Sequence, residues 1–298
     1  MNNTEVNQLN KLLEHIDGAY APNTIRAYKA DMMEFIAYCQ QSDLCALPTT
    51  PTTLSQFLLK VSETGIKTAT IERKISSISA VHRLLSYQDP TKHPEAKICR
   101  RKILRKLGSR PQQAYPINRE LLRKMVAACG DDLRGLRDKA LLLVAYESMK
   151  RRSELISLRI EDIETRPDGN YSVLLRRSKT DQKGSGKWIN LGVESTHAVK
   201  RLLDELGYQS GKLFRGIRPG NRITEGLCDS QVSRIYKGIA RKINLEKSNV
   251  SKISGHSMRV GGAQDALIDG LSLPQIMVKG GWVKTDTVLR YIEKATNI

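Results

Sequence analysis

Six side chains in this sequence are of the types that hold or act on a phosphate. They are Arg151 in KRRSEL, Lys179 in RRSKT, His256 and Arg259 in SGHSMRVGG, Trp282 in KGGW and Tyr291 in VLRYIEK. A guanidinium stays charged and offers paired donors to phosphate oxygens. A lysine at a hairpin tip can serve as a mobile proton donor, and an indole N–H can donate to an anion. His-x-x-Arg at a helix start adds the free N–H groups of the first turn. Each residue also has an ordinary reading. Cations that close a helix complement its dipole, and Glu154, one turn after Arg151, can orient that arginine or simply pair with it at a surface. A lysine at a hairpin tip protects a sheet edge, and a tryptophan after Gly-Gly packs. Tyr291, between Leu289 and Ile292, reads as a partly buried helix tyrosine. His-x-x-Arg alone is a weak motif. Taken singly, none of the six decides.

The elements that must position them fall into two blocks. From about Tyr20 to Leu107 the pattern is helical. Asn23 or Thr24 is expected to cap a helix with Ile25, Tyr28, Met32, Phe35, Ile36 and Cys39 on one face. A second helix is expected over Thr68 to Tyr87, with Ile71, Ile75, Ile78, Val81 and Leu85 inward and Lys67, Arg73, Lys74 and Arg83 on its other side. The segment ICRRKILRK, 98–106, holds five cations in nine residues. The stretch GSRPQQAYP, 108–116, breaks the period and reads as a linker. From Ile117 the pattern is mixed. Asn118 is expected to cap a helix with Leu121, Leu122, Met125 and Val126, and Asp131 or Asp132 precedes an apolar helix, Leu133 to Ser148. Tyr171 to Arg177 and Lys187 to Leu191 read as strands, with a third from Ser157 to Ile163. Helices resume at Glu194 to Leu206 and Asp229 to Ile243, the latter with Arg234, Lys237, Arg241 and Lys242 outward. Ser272 and Gln275 form a capping box for a helix ending at Gly280-Gly281, and a last helix carries Val288, Leu289 and Ile292.

Composition sets the class of partner. The 298 residues carry 49 Lys+Arg against 31 Asp+Glu, a formal charge of +18. A phosphate backbone rewards such a chain through counterion release; an anionic membrane surface is the second candidate. Aromatic residues are only 5%, so base stacking is not the expected mode of binding. The longest apolar run, Ala140 to Tyr146, falls short of the roughly 18 residues that span a bilayer. The polar start MNNTEVNQLN lacks a signal-peptide core. Cys39, Cys45, Cys99, Cys129 and Cys228 match neither a disulfide frame nor a zinc site, and cytoplasm is the expected compartment.

The order Arg151, Lys179, His256, Arg259, Trp282, Tyr291 resembles that of the tyrosine recombinase, or phage integrase, family. SGHSMRVGGAQDALIDGLSLPQIMVKGGWVKTDTVLRYI looks like the closing stretch of its Cre- and Xer-like members. YESMKRRSELISLRIEDI resembles the first arginine motif, LLRRSKT the strand-end lysine, and APNTIRAYKADMMEFIAYC the opening helix of the core-binding domain. The resemblance implies a fold that is mainly α with a small antiparallel β-sheet. An all-helical, SAM-like core-binding domain would cover 1–107, a linker 108–116, and an α+β catalytic domain 117–298. It implies Arg151 and Arg259 as phosphate clamps, Glu154 as support for Arg151, and Lys179 as general acid. His256 would be base or phosphate donor, Trp282 a further donor and Tyr291 the nucleophile. Arg26, Arg73, Lys74, Arg83, Arg100, Arg101, Arg105, Lys237 and Arg241 are the expected contacts to the DNA backbone. No metal and no cofactor are expected. The expected partner is a double-stranded recombination site gripped by a clamp of both domains. Two protomers would bind each site and four would form the synapse, with an accessory factor left open. The chain would work on prokaryotic, phage or plasmid DNA in the nucleoid. A type IB topoisomerase, a telomere resolvase and a non-catalytic DNA-binding protein are the alternatives.

Two departures from the family pattern stand out. Met149-Lys150 replaces the usual Gly-Leu before the first arginine, and the spacing to Glu154 favours Arg151 over Arg152. Only IEKATNI follows Tyr291, so a further docking helix is expected to be reduced, and exchange between protomers to use the tyrosine helix or another surface.

Overall fold

A computed structural model of the chain describes residues 4–108, 113–178, 181 and 184–295. Lys179 and part of the expected linker, 109–112, lie outside the described residues. The chain divides into two compact units, Met1–Gln112 and Gln113–Ile298.

The first unit is helical: α1 (Thr4–His15), α2 (Pro22–Gln41), α3 (Pro51–Ser62), α4 (Thr68–Leu84) and α5 (Pro94–Leu107). Its core gathers Leu9, Met32, Phe35, Leu54, Phe57, Ile71 and Ile78. Sequence reading starts this block near Tyr20 and misses α1, although Leu9, Leu12 and Leu13 recur at helical spacing and are buried. The expected cap at Asn23 or Thr24 is also corrected. Helix α2 begins on Pro22, whose missing N–H costs nothing in the first turn, and Asn23 instead accepts from Arg26.

The second unit opens with α6 (Arg119–Ala127), α7 (Leu133–Ser148) and the short α8 (Arg152–Leu155). The side chains of Asn118 and Asp132 accept from Leu121 N–H and Gly135 N–H, at 3.0 and 2.8 Å, and so cap α6 and α7. Strands β1 (Ile163–Thr165), β2 (Tyr171–Leu175) and β3 (Lys187–Asn190) form an antiparallel sheet in that order. Its register sets Val173 between Ile163 and Ile189. The expected third strand is thus shifted to Ile163–Thr165. Residues 158 and 160 turn inward instead, and their backbones bond to Leu213 and Gly211 at 2.9 Å. Helix α9 (Val193–Leu206), a short pair β4 (Ile217–Arg218) and β5 (Arg222–Ile223), α10 (Asp229–Lys242) and α11 (Lys247–Lys252) complete the main body. The last helices are α12 (Ser257–Ile268), α13 (Leu273–Gly280) and α14 (Thr285–Ile292). They close around a small core of their own: Met149, Ala263, Ala266, Ile276, Trp282, Val288 and Ile292. That satellite core carries the site.

Candidate active site

Arg151 lies at the break between α7 and α8. Helix α7 ends on Met149 in the left-handed conformation, φ 51°, which turns the chain so that Arg151 caps α8. Glu154 then accepts twice from the same residue: from Arg151 N–H at 2.9 Å and from Arg151 Nη1 at 2.7 Å. Glu154 is buried while Arg151 keeps about a fifth of its side chain exposed, so one face of the guanidinium is fixed and the rest remains available. Arg152 points elsewhere, to Asp229 at 3.1 Å.

Arg259 stands in the first turn of α12, behind His256 at the N-cap. It is 1% exposed. Its Nη1 donates to the carbonyls of Met149 and Gly280, the latter at 3.1 Å. Its Nε is buried and finds no acceptor among the described residues. Burial and the nearby Arg151 push its pKa down to about 10, while Glu154 and a hydrogen bond with Tyr291 pull it back up. A buried guanidinium with an unspent donor is costly unless an anion joins it.

Trp282 is where the last three helices meet. Its ring lies under the Arg259 guanidinium, 4.3 Å from carbon to centroid, and meets the Tyr291 ring edge-on at 5.8 Å. Gly280 makes this possible: a Cβ there would sit 1.9 Å from the indole. Gly281, at φ 68°, closes α13 in the left-handed region. The packing reading of Trp282 therefore holds, yet its Nε1 is also buried with no partner among the described residues. Tyr291 is half-buried in α14, and its carbonyl accepts from Gln264 and Gln113 at 2.9 and 3.1 Å. Sequence reading missed both amides, since nothing in their local pattern marks them.

Arg151, Glu154 and Trp282 line one cavity of about 550 Å³ together with Lys150, Asp181, Lys187 and the end of α13. The structure thus brings together Arg151, Glu154, Arg259, Trp282 and Tyr291. His256 is exposed one turn before Arg259, with its N–H on Ser254 at 3.1 Å. Lys179 lies outside the described residues. Asp181, two residues on in sequence, accepts through its carboxylate from the N–H groups of Gly184, Ser185 and Gly186.

The nine expected DNA contacts divide. Arg26, Arg83, Arg101, Arg105 and Arg241 are exposed. Arg73 is held by Asp31 at 2.9 Å, and Arg100 makes a two-pronged pair with Glu72 at 2.8 Å. Lys237 donates to the Ser251 carbonyl at 3.0 Å. Lys74 is a correction: it is 4% exposed, and its ammonium sits 2.5 Å from Glu34 and 3.6 Å from the buried Asp31. It falls between Ile71 and Ile78 on the inward stripe of α4, and a lysine is buried there only because it is paired.

Residues 116–297 match the model of the phage integrase family, and residues 9–88 match that of its N-terminal SAM-like domain. An integrase/recombinase XerD homolog of Selenomonas ruminantium is 28% identical over 95% of this chain and 85% of its own length. The recombinase Cre of Escherichia phage P1 is 26% identical over 92% and 84%. Among solved structures, the XerH site-specific recombinase bound to its difH substrate aligns over 98% of this chain and 84% of its own, with a TM-score of 0.64 at 17% identity. The Tn1549 transposon integrase with circular intermediate DNA aligns over 96% and 94%, at 0.66 and 15%; both share the fold.

Proposed function

Because this chain belongs to the phage integrase family, we propose that Tyr291 is the nucleophile with which it cuts and rejoins DNA, and that Arg151, Arg259 and Trp282 hold the scissile phosphate. The protein is a tyrosine recombinase, a site-specific DNA recombinase. The observation that carries the residue assignment is a pair of orphan donors, Arg259 Nε and Trp282 Nε1, buried in the group of side chains that includes Tyr291. Among the described residues neither donor has an acceptor, and a bound phosphate would supply one to both.

The Tyr291 oxygen bonds to phosphorus as the bond from phosphorus to the 5′-oxygen breaks. His256 receives the phenolic proton and Lys179 gives one to the departing 5′-oxygen. The products are a 3′-phosphotyrosine and a free 5′-hydroxyl. The partner strand's 5′-hydroxyl then attacks the phosphotyrosine, and the bond energy stored in the covalent intermediate drives rejoining without a nucleotide. A second round on the other strands resolves the Holliday junction. In the transition state negative charge grows on the non-bridging oxygens, where Arg151 and Arg259 are already oriented by Glu154 and by two carbonyls. Preorganised charge of this kind needs no reorganisation as the reaction proceeds. We further propose two protomers per site and four in the synapse, acting in the cytoplasm of a bacterium on chromosomal, phage or plasmid DNA.

The test starts with DNA flanking the gene, on which covalent trapping and junction sequencing locate the cleavage position. A duplex of that sequence with sulfur replacing the scissile 5′-bridging oxygen should accumulate the protein–DNA adduct, since the thiol leaves well and rejoins poorly. Lys179→Ala, slowed by about 10²–10⁴-fold on ordinary DNA, should recover on the sulfur duplex. No recovery would remove Lys179 as the acid.

A further inference from the structure

Three cations from three separate segments of the chain grip three successive carbonyls at the end of α13. Lys187 of β3 donates to Val278 at 2.6 Å, Lys150 to Lys279 at 2.8 Å, and Arg259 of α12 to Gly280 at 3.1 Å. The next link is the turn Gly280-Gly281-Trp282, and beyond it α14 with Tyr291. The last carbonyls of a helix lack intrahelical donors, and cations there satisfy both the hydrogen bond and the dipole. Three in a row, each from a different segment, do more than cap. They join the hairpin, the segment before Arg151 and the Arg259 helix to one turn.

Lys150 is the unexpected member. Sequence reading notes it only as a departure, with Met149, from the usual Gly-Leu before the first arginine, yet it is 4% exposed. Its ammonium lies near where a Cβ on Gly281 would be, at 3.9 Å. An apolar side chain would fill the same space without the cost of burying a charge. It would also leave the Lys279 carbonyl without its donor. We propose that Lys150 is a positioning residue for DNA cleavage: with Lys187 and Arg259 it fixes the end of α13, and so sets the turn that presents Trp282 and Tyr291 to the phosphate held by Arg151.

The proposal rests on the recombinase reading and adds to it a residue outside the six-residue pattern. It also carries a pH signature. Among the described residues, the charged groups around Lys150 are Lys187 of β3, Arg151 and Glu154 at α8, Arg259 of α12, and Asp181, which lines the same cavity. Burial first, and then Lys187, lower its pKa to about 8, with Glu154 opposing and the two arginines adding to the fall. Below that pH the bond to Lys279 is charge-assisted; above it the bond is a weaker, neutral one. An arginine at this position would stay charged throughout.

The test uses the full-length protein and a nicked form of the mapped duplex, whose short 5′ fragment diffuses away after cleavage. Lys150→Met should cut adduct formation at least tenfold with DNA affinity within about twofold. Lys150→Arg should recover most of the rate. The ratio of wild-type to Lys150→Arg single-turnover cleavage rates at subsaturating DNA, which reports groups of the free enzyme, should fall as pH rises from 7 to 9. Wild-type cleavage by Lys150→Met, or failure of Lys150→Arg to recover the rate, overturns the proposal while leaving the recombinase reading intact. Absence of any adduct with the wild-type protein would instead strike the reading itself. If Lys150→Met does not fold, Lys187→Met decides the matter, because Lys187 is exposed. A severalfold loss of cleavage supports the proposal, and an unchanged rate refutes it.

Discussion

Trp282 isolates one donor of the phosphate pocket. A phenylalanine keeps the ring under Arg259 and beside Tyr291 but removes the orphan N–H. A hydrogen bond to a charged acceptor is worth about 1.5–3 kcal/mol, so Trp282→Phe should lower single-turnover cleavage by roughly tenfold to a hundredfold with the melting temperature nearly unchanged. An unaltered rate would mean that the tryptophan only packs. The order of the six residues was legible because each belongs to a motif with its own spacing. The support around them was not. Gln264 and Gln113 reach the Tyr291 carbonyl from positions far apart in sequence, and Lys150 hides in a run of cations. Lys74 could have been read correctly, since it follows Ile71 by three and precedes Ile78 by four, and Asp31 neighbours Met32 on the apolar stripe of α2.

Helix α12 shows how closely the second unit is built at the level of elements. At Gly261 a Cβ would lie 1.9 Å from the Ile117 carbonyl oxygen, in backbone that is itself bonded to Ser257 at 3.1 Å. Gly261→Ala should therefore destabilise by about 3 kcal/mol, lowering the melting temperature by roughly 6 °C or more. Gly238 in α10 meets nothing within 4 Å, and Gly238→Ala should stabilise by about 0.5–1 kcal/mol. Thermal denaturation of the pair compares a close approach with an idle glycine. Strong apolar faces made α2, α4, α7 and α10 readable. The strands β4 and β5, two residues each, are too short to show a period. Tyr236 went unread in α10 because its hydroxyl disguises a fully buried core position. The glycine that the family resemblance implies two residues before Arg151 would suit the backbone found there. Met149 occupies a left-handed φ, which costs a non-glycine residue about 1–2 kcal/mol, and its buried side chain in the satellite core offsets that cost.

Across the whole molecule the charge of +18 resolves into groups with different jobs. Some cations are spent on internal partners, as Lys74 on Asp31 and Glu34 and Arg100 on Glu72. Others, such as Arg101 and Arg105, are exposed and are proposed to meet the DNA backbone. Each backbone contact releases counterion and contributes about one to the slope of log affinity against log salt. Arg101→Ala and Arg105→Ala should each lower that slope by about one. Lys74→Met should leave it unchanged while lowering the stability of the first unit. An effect of Lys74→Met on the slope would contradict its internal role. Net charge could indicate an acidic partner, but only burial and pairing separate the cations available to it from those already engaged.

The central claim is that Tyr291 becomes covalently joined to DNA, and mass spectrometry of the trapped adduct tests it most directly. After trypsin and nuclease digestion, the peptide covering 291–294 should carry a nucleotide through a 3′-phosphate on Tyr291, and Tyr291→Phe should bind the duplex yet give no adduct. A covalent adduct with Tyr291→Phe, or a nucleotide attached to any other residue, would contradict the account.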